Sequence, residues 1–175
     1  YIMKQFKNNS IRLQDVRDYL SKREDKHVQV KHTKYNSFVS SSPLFELEID
    51  VMDIGSSVSN MRYGLVAIDN FTKIADIVPI QNKQPDEIIR AVKEVFNKIG
   101  IPKQIYSDEE GSFNSPKYIR FMNEQKIKHI QTSTHAATAE RFIRTFKDNL
   151  YRRLHALNQD KSKWIEHVDN MIKKY

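Results

Sequence analysis

The sequence lacks several features that mark whole classes of protein. Its 175 residues include no cysteine, which excludes disulfide bonds and thiolate zinc sites. No apolar run approaches the length of a membrane span, and the first residues lack the apolar core of a signal peptide. No internal repeat or extended low-complexity tract is present. These absences favour an intracellular protein with no membrane partner.

The composition predicts a folded domain that binds a polyanion. Hydrophobic residues make up 39% of the chain and aromatic residues 10%, which is enough for a substantial core. The length allows one full domain with a small appendage. A net charge of +7 and an isoelectric point near 9.5 favour a negatively charged partner such as nucleic acid.

The first forty residues differ in pattern from the rest. Apolar residues recur there at helical spacing, at Leu13, Val16 and Leu20, and Ser10 is a candidate N-cap. A basic, weakly patterned stretch and a serine-rich tract follow. We predict a helical N-terminal segment and linker over residues 1–40. The main domain, which includes the C-terminal helix, is predicted over residues 41–175. A solvated helix with a tail is an equally good interpretation of the first segment.

The rest of the chain has an α/β pattern. Strand-like stretches lie at 44–54, 62–70, 73–80, 103–108 and 126–133, and helical ones at 84–100, 115–125, 139–157 and 161–175. Three strands in meander order, then helix, strand, helix, strand and helix, is the ribonuclease H-like order. The sequence therefore predicts an α/β fold of that type, with a five-stranded mixed sheet flanked by helices.

Three acidic residues occupy positions from which they can converge on one site. Asp50 lies in a strand where acids alternate with apolar residues, and Asp108 ends a second strand. Glu140 opens a long amphipathic helix. Carboxylates from a central strand, a neighbouring strand end and a helix can bind two Mg²⁺ ions. Each acid taken alone is more often a solvated charge.

The segments around these acids resemble a known family. The stretch SDEEGSF provides Ser107, Asp108 and Phe113 of the turn that carries the family's second acid. The stretch AERFIRTFK matches the family's third-acid helix at Glu140, Arg141, Phe142, Arg144, Thr145 and Lys147. Over roughly residues 44–175 the chain resembles the catalytic core of retroviral-type integrases. It looks closest to those of retrotransposons and of Maverick/Polinton-like elements and virophages.

The resemblance implies a metal-dependent polynucleotidyl transferase. Asp50, Asp108 and Glu140 would be its catalytic residues and would bind two Mg²⁺ or Mn²⁺ ions. Water attack would process the 3′ ends of a mobile element or virus, and attack by the 3′-hydroxyl would join them to target DNA. The implied partners are double-stranded DNA ends, target DNA and further copies in a homodimer or higher oligomer. In a eukaryotic host the protein would act in the nucleus.

One side of the third-acid helix has the composition of a DNA-binding face. Glu140, Arg144, Lys147 and Tyr151 recur at spacings of four, three and four residues, so they share one side. Arg141 of the matched motif is a further candidate. A separate apolar stripe is predicted to pack on the sheet, at Ile143, Phe146, Leu150, Leu154 and Leu157. An ordinary pair between Glu140 and Arg144 is the alternative interpretation.

Several alternatives stay open. Asp53 is a rival for Asp50, but its odd offset along the strand turns it to the opposite face. Asp69 and Asp76 are interpreted as strand-end or edge acids. A transposase or nuclease on the same fold would share the metal chemistry. Glu109 and Glu110 stand where the family has a polar residue and then glycine, which keeps a catalytically inactive DNA-binding or assembly module among the alternatives.

Overall fold

The computed structural model describes residues 40–175 apart from 56, 110 and 132–136, together with 14, 15 and 18. The chain divides into two compact units, Tyr1–Ser37 and Phe38–Tyr175. In the first unit Gln14 and Asp18 are helical, and Gln14 Nε2 donates to Asp18 Oδ1 at 3.2 Å. The predicted cap and apolar positions of this helix, Ser10, Leu13, Val16 and Leu20, lie outside the described residues.

The second unit is built on a five-stranded mixed sheet. Its strands are β1 Glu46–Asp53, β2 Tyr63–Asp69, β3 Ala75–Ile80, β4 Gln104–Ser107 and β5 Lys128–Gln131. The order across the sheet is β3-β2-β1-β4-β5. The first three strands form an antiparallel meander, whereas β4 pairs in parallel with β1 and with β5. The predicted fold class is confirmed.

Helices cover both faces of this sheet. They are α1 Pro85–Ile99, α2 Pro116–Glu124, α3 Ala137–Ala156 and α4 Ile165–Ile172, with a short 3-10 turn at Lys161–Lys163. Prolines open α1 and α2, where the missing N–H costs nothing, and Ser115 caps α2 by accepting from Tyr118 N. None of the helices in the described ranges is long and apolar enough to cross a membrane.

The face of the sheet that carries Leu47 and Ile49 contributes an apolar cluster to the core. It packs on α1 and α2 through side chains that are almost entirely buried, including Leu65, Val78, Ile88, Val92, Ile105 and Tyr118. Phe113, from the predicted turn motif, is fully buried in the same cluster. Phe113 and Tyr118 meet edge to face with ring centroids 5.5 Å apart.

The opposite face packs on α3 and α4. Its cluster joins residues of the meander to Phe142, Phe146, Leu150, Leu154, Trp164 and Val168. Trp164 is fully buried, and its Nε1 donates to the Met61 carbonyl at 3.3 Å. The predicted stripe on α3 needs correction at two positions: Phe142 is buried, whereas Leu157 follows the end of α3 and is 49% exposed.

Candidate active site

Strand β1 presents a row of acids to the face covered by α3. Asp50 and Glu48 lie opposite Val66 and Ile68 of β2, which are buried in the cluster with α3. Because strand residues alternate between faces, Glu46, Glu48 and Asp50 share this side. Asp50 is half-buried, and its Oδ1 accepts from the amide of Val51 at 2.7 Å.

Asp108 directly follows β4, the strand that pairs with β1. In the parallel pairing of β1 with β4, Glu48 is the partner of Tyr106. This is the last pair of that ladder, and β4 ends at Ser107. Asp108 lies two residues beyond Tyr106, as Asp50 lies two residues beyond Glu48, so both acids follow the paired stretch in the same direction.

A buried polar pair anchors the turn at Asp108. Ser107 is fully buried, and its Oγ donates to the Asp108 carbonyl oxygen at 3.0 Å. The same Oγ lies 2.9 Å from Nε2 of His129 on β5. Burial lowers the pKa of His129, which favours the neutral ring. Sequence analysis gave no role to this histidine, because its partner lies on another strand.

Glu140 reaches the site through the first turn of α3. The backbone amides of Thr138 and Ala139 both donate to Oε2 of Glu48, each at 2.9 Å. Glu140 is the next residue along the helix and is half-buried. The start of α3, which carries Glu140, thus meets β1, the strand that carries Asp50 and pairs with β4 before Asp108.

Among the residues that the structure describes, no three His, Cys, Asp or Glu side chains are arranged to hold a metal ion. The three predicted ligands are carboxylates, and carboxylate oxygens are the ligands that Mg²⁺ prefers. Carboxylates repel one another at short range, and a bound cation relieves that repulsion. The assignment of Asp50, Asp108 and Glu140 as metal ligands stays a prediction.

Two further acids beside the site form a buried network that sequence analysis did not assign. Glu46 is 1% exposed and accepts from Asn70 Nδ2 and from Gln104 Nε2, the latter at 2.9 Å. Asn70 Nδ2 also donates to Oε1 of Glu48 at 2.8 Å. Burial raises the pKa of Glu46, and the neighbouring Glu48 charge acts in the same direction. The alternation of acids was visible in the sequence, but their partners were not.

The rival acid Asp53 is engaged elsewhere. Its carboxylate pairs with Arg62 through Nε at 3.1 Å and a terminal nitrogen at 2.8 Å, and accepts from Gly55 N. The Arg62 hydrogen bonds hold the pKa of Asp53 below its usual range. Metal binding by Asp53 would have to compete with this fork, which favours Asp50 as the ligand.

Asp69 and Asp76 have structural partners. Asp69 ends β2 and accepts from Phe71 N at 3.2 Å and Thr72 N at 3.3 Å, which closes the turn to β3. Asp76 lies on the edge strand β3 and pairs with Lys98 of α1 at 3.2 Å.

The predicted DNA-binding side of α3 carries cations at the surface. Arg141 and Arg144 are exposed, and the charge of Lys147 helps to lower the pKa of Asp53. Tyr151 is half-buried, with the ammonium of Lys161 lying 5.2 Å from its ring centroid. Lys161 adds a cation to this side. The spacing of residues along α3 did not reveal it, because Lys161 follows the end of that helix.

Element order and sheet pairing define a ribonuclease H-like fold of the integrase-core type. The "Retrovirus-related Pol polyprotein from transposon 297" of Drosophila melanogaster is 27% identical to the chain over 122 residues. That match covers 69% of the chain but only 11% of the polyprotein. No protein-family model matches the chain.

Solved structures share the fold. The HTLV-2 integrase catalytic core domain, in complex with magnesium, matches in its trimeric form with a TM-score of 0.61 and in its dimeric form with 0.60, both at 20% identity. The trimeric match covers 74% of this chain and 84% of that one, and the dimeric match 72% and 83%. A simian T-cell lymphotropic virus intasome, in complex with a PP2A regulatory subunit, matches at 0.62 with 17% identity, over 68% of this chain and 44% of that one. The resemblance to a retroviral-type integrase core is confirmed.

Proposed function

We propose that this chain is the catalytic core of an integrase that processes the 3′ DNA ends of a mobile element or virus and joins them to target DNA. One observation supports the proposal: on an integrase-type fold, β4 pairs in parallel with β1, and the first amides of α3 donate to Glu48 of β1. The segments that carry Asp50, Asp108 and Glu140 are therefore neighbours. The magnesium named for the HTLV-2 cores supports a divalent metal here.

The proposed chemistry uses no protein nucleophile. Two Mg²⁺ ions, when bound, would activate the attacking water or 3′-hydroxyl and neutralise charge on the leaving oxygen. Asp50 would bind both ions, Asp108 would complete one site and Glu140 the other. The contribution of the chain is positioning and electrostatics, because the rigid strands and the first turn of α3 fix where the carboxylates stand.

The exposed side of α3 would hold the DNA backbone beside the acids. Arg141 and Arg144 lie within the first two turns, next to Glu140, and Lys147 follows one turn later. Cations neutralise phosphates and release counterions, which gives affinity without sequence selectivity. Tyr151 with Lys161 would extend this surface along the helix.

Assembly and location are part of the same proposal. The HTLV-2 cores are described as dimeric and trimeric, and the simian virus protein as an intasome. We propose that this chain also acts as a homodimer or higher oligomer on DNA. Target DNA in a eukaryotic host would place that activity in the nucleus.

The proposal is tested by a strand-transfer assay with labelled duplex ends, a plasmid target and Mg²⁺ or Mn²⁺. The protein should contain the full natural chain around this core, since the match covers only 11% of the transposon polyprotein. Metal-dependent joined product should vanish in Glu140→Gln. The matched control, Glu124→Gln at an exposed position of α2, should keep wild-type activity. Product that persists in Glu140→Gln would contradict the site assignment.

An inactive DNA-binding or assembly module is the second candidate. Glu109, which directly follows Asp108 where the family has a polar residue, favours it. This candidate predicts that the folded wild-type protein binds DNA but gives no product and no bound Mn²⁺. A nuclease on the same fold would bind Mn²⁺ and yield cleaved rather than joined DNA, and a transposase would differ in the DNA ends that it joins.

A further inference from the structure

Helix α3 is capped by a side chain from a distant strand. The first amides of a helix have no acceptor within the helix, and a side chain directly before the helix usually supplies one. In α3 the acceptor for Thr138 N and Ala139 N is Oε2 of Glu48, a residue of β1 that lies 90 positions earlier in the chain than Thr138. A carboxylate at the positive end of the helix dipole is favourable, and its hydrogen bonds are charge-assisted.

The capping carboxylate is held from its other side as well. Oε1 of Glu48 accepts from Asn70 Nδ2 at 2.8 Å. Asn70 is fixed in turn, because its backbone N–H donates to the Glu46 carbonyl oxygen at 3.0 Å and its side-chain amide also donates to the Glu46 carboxylate. With donors on both oxygens, the Glu48 side chain is confined to one orientation.

Glu48 connects the segments that carry two of the predicted catalytic acids. It precedes Asp50 by two residues and points to the same face of β1. The amide of Ala139, which it binds, immediately precedes Glu140. A shift of the helix start relative to β1 would therefore break the cap and separate Glu140 from Asp50 at the same time.

We infer that Glu48 is a positioning residue, which locks the first turn of α3 to β1 and so sets Glu140 at the correct distance from Asp50. This inference rests on the proposed function, because it assigns Glu140 to the metal site. Both carboxylate oxygens of Glu48 already accept hydrogen bonds from neutral donors, so its role is to hold the helix rather than to bind an ion. Loss of a residue that holds a metal ligand in place typically changes metal affinity by about 10–100-fold.

The test compares Glu48→Ala and Glu48→Gln with the wild-type protein. Amide hydrogen exchange at Thr138 and Ala139 reports whether the cap is lost, and calorimetric titration with Mn²⁺ reports affinity without DNA. In Glu48→Ala we expect faster exchange at both amides and Mn²⁺ affinity lower by about 10-fold or more. Glu48→Gln keeps one acceptor oxygen and should recover part of both properties. The control, Glu124→Ala on α2, should change neither.

The outcomes separate this inference from the proposed function. If the wild-type protein binds Mn²⁺ and Glu48→Ala binds it equally well, the positioning role is wrong and the proposed function stands. If the folded wild-type protein binds no Mn²⁺, the proposed function is wrong, and the role of Glu48 toward Glu140 is wrong with it. If Glu48→Ala fails to fold, Glu48→Gln decides: unchanged exchange and unchanged affinity in that variant would overturn the inference.

Discussion

The two faces of the central sheet hold their helices in different ways, although the same five strands form both. On the face covered by α1 and α2, β1 contributes Leu47 and Ile49 to a continuous apolar core. On the face covered by α3, the same strand contributes Glu46, Glu48 and Asp50, and only its far end, at Met52, returns to an apolar cluster. Strand β1 therefore has one apolar face and one acidic face. Its apolar face holds α1 and α2 by packing. Its acidic face holds the start of α3 with charge-assisted hydrogen bonds.

This contrast separates stability from the proposed chemistry. Buried apolar contacts tolerate small sliding movements, whereas the hydrogen bonds from Glu48 to the start of α3 fix a helix end in register with the strand. A site that needs carboxylates from a strand and a helix requires that kind of register. Desolvation of the acids on β1 costs stability, and the apolar clusters on the two faces of the sheet supply it.

The largest effect on the acidic face should come from Asp50→Asn. This change removes the proposed shared ligand while keeping the shape of the side chain. We expect DNA joining to fall by at least about 100-fold, the scale on which removing one key electrostatic group acts, with the unfolding transition little changed. Asp53→Asn, three residues further along β1 and paired with Arg62, is the matched control and should retain activity. Equal losses in both variants would argue against Asp50 as the ligand.

On the apolar face, Leu47→Ala should reduce the free energy of unfolding by about 2–5 kcal/mol. Leu47 is fully buried between β2, β4 and the helices of that face, so truncation leaves a cavity. Urea denaturation measures the loss. A change below about 1 kcal/mol would mean that this face is not the main source of stability.

Lys147→Ala tests whether the cations on the exposed side of α3 bind DNA. If Lys147 neutralises one phosphate, the variant loses affinity for all duplex sequences alike, and the slope of log K against log salt concentration falls by about 1. Fluorescence anisotropy at several salt concentrations measures the slope. Lys93→Ala on α1, on the opposite face, should leave it unchanged. An unchanged slope in Lys147→Ala would remove this residue from the DNA path.

The smallest effect concerns the pH dependence of stability. Burial raises the pKa of Glu46 above its ordinary value of 4.5, so the folded state holds the proton more tightly than the unfolded state. The stabilisation is complete below pH 4.5 and is lost as the pH rises through the raised folded value. Glu46→Gln removes this titration. The stability of the wild-type protein relative to the variant should therefore fall between pH 4 and pH 7, as measured by chemical denaturation; a constant difference would contradict the shift.

Local patterns in the sequence were sufficient for the fold. Alternation predicted β1, and the order of strand-like and helical stretches predicted the rest of the sheet, because these signals depend on neighbours in the chain. The stripe on α3 was less accurate. Phe142 is buried and Leu157 is exposed, since the helix ends at Ala156 and its rotation on the sheet is set by packing.

The candidate site was predictable only in its acids. Asp50, Asp108 and Glu140 stand in recognisable local motifs, and the sheet pairing brings their segments together. The contacts that hold those segments were not visible. Glu48 contacts the start of α3 although 90 positions of sequence separate it from Thr138, and Ser107 of β4 contacts His129 of the neighbouring strand β5. Both contacts exist only once the chain has folded.

The most direct test of the central claim is a crystal structure of the protein grown with MnCl₂, using anomalous scattering to locate the ions. We predict two Mn²⁺ ions per chain beside Asp50, one also bound by Asp108 and the other by Glu140. No ion at these carboxylates in a well-folded crystal, or ions bound only at other acids such as Asp53, would contradict a two-metal site at this end of β1.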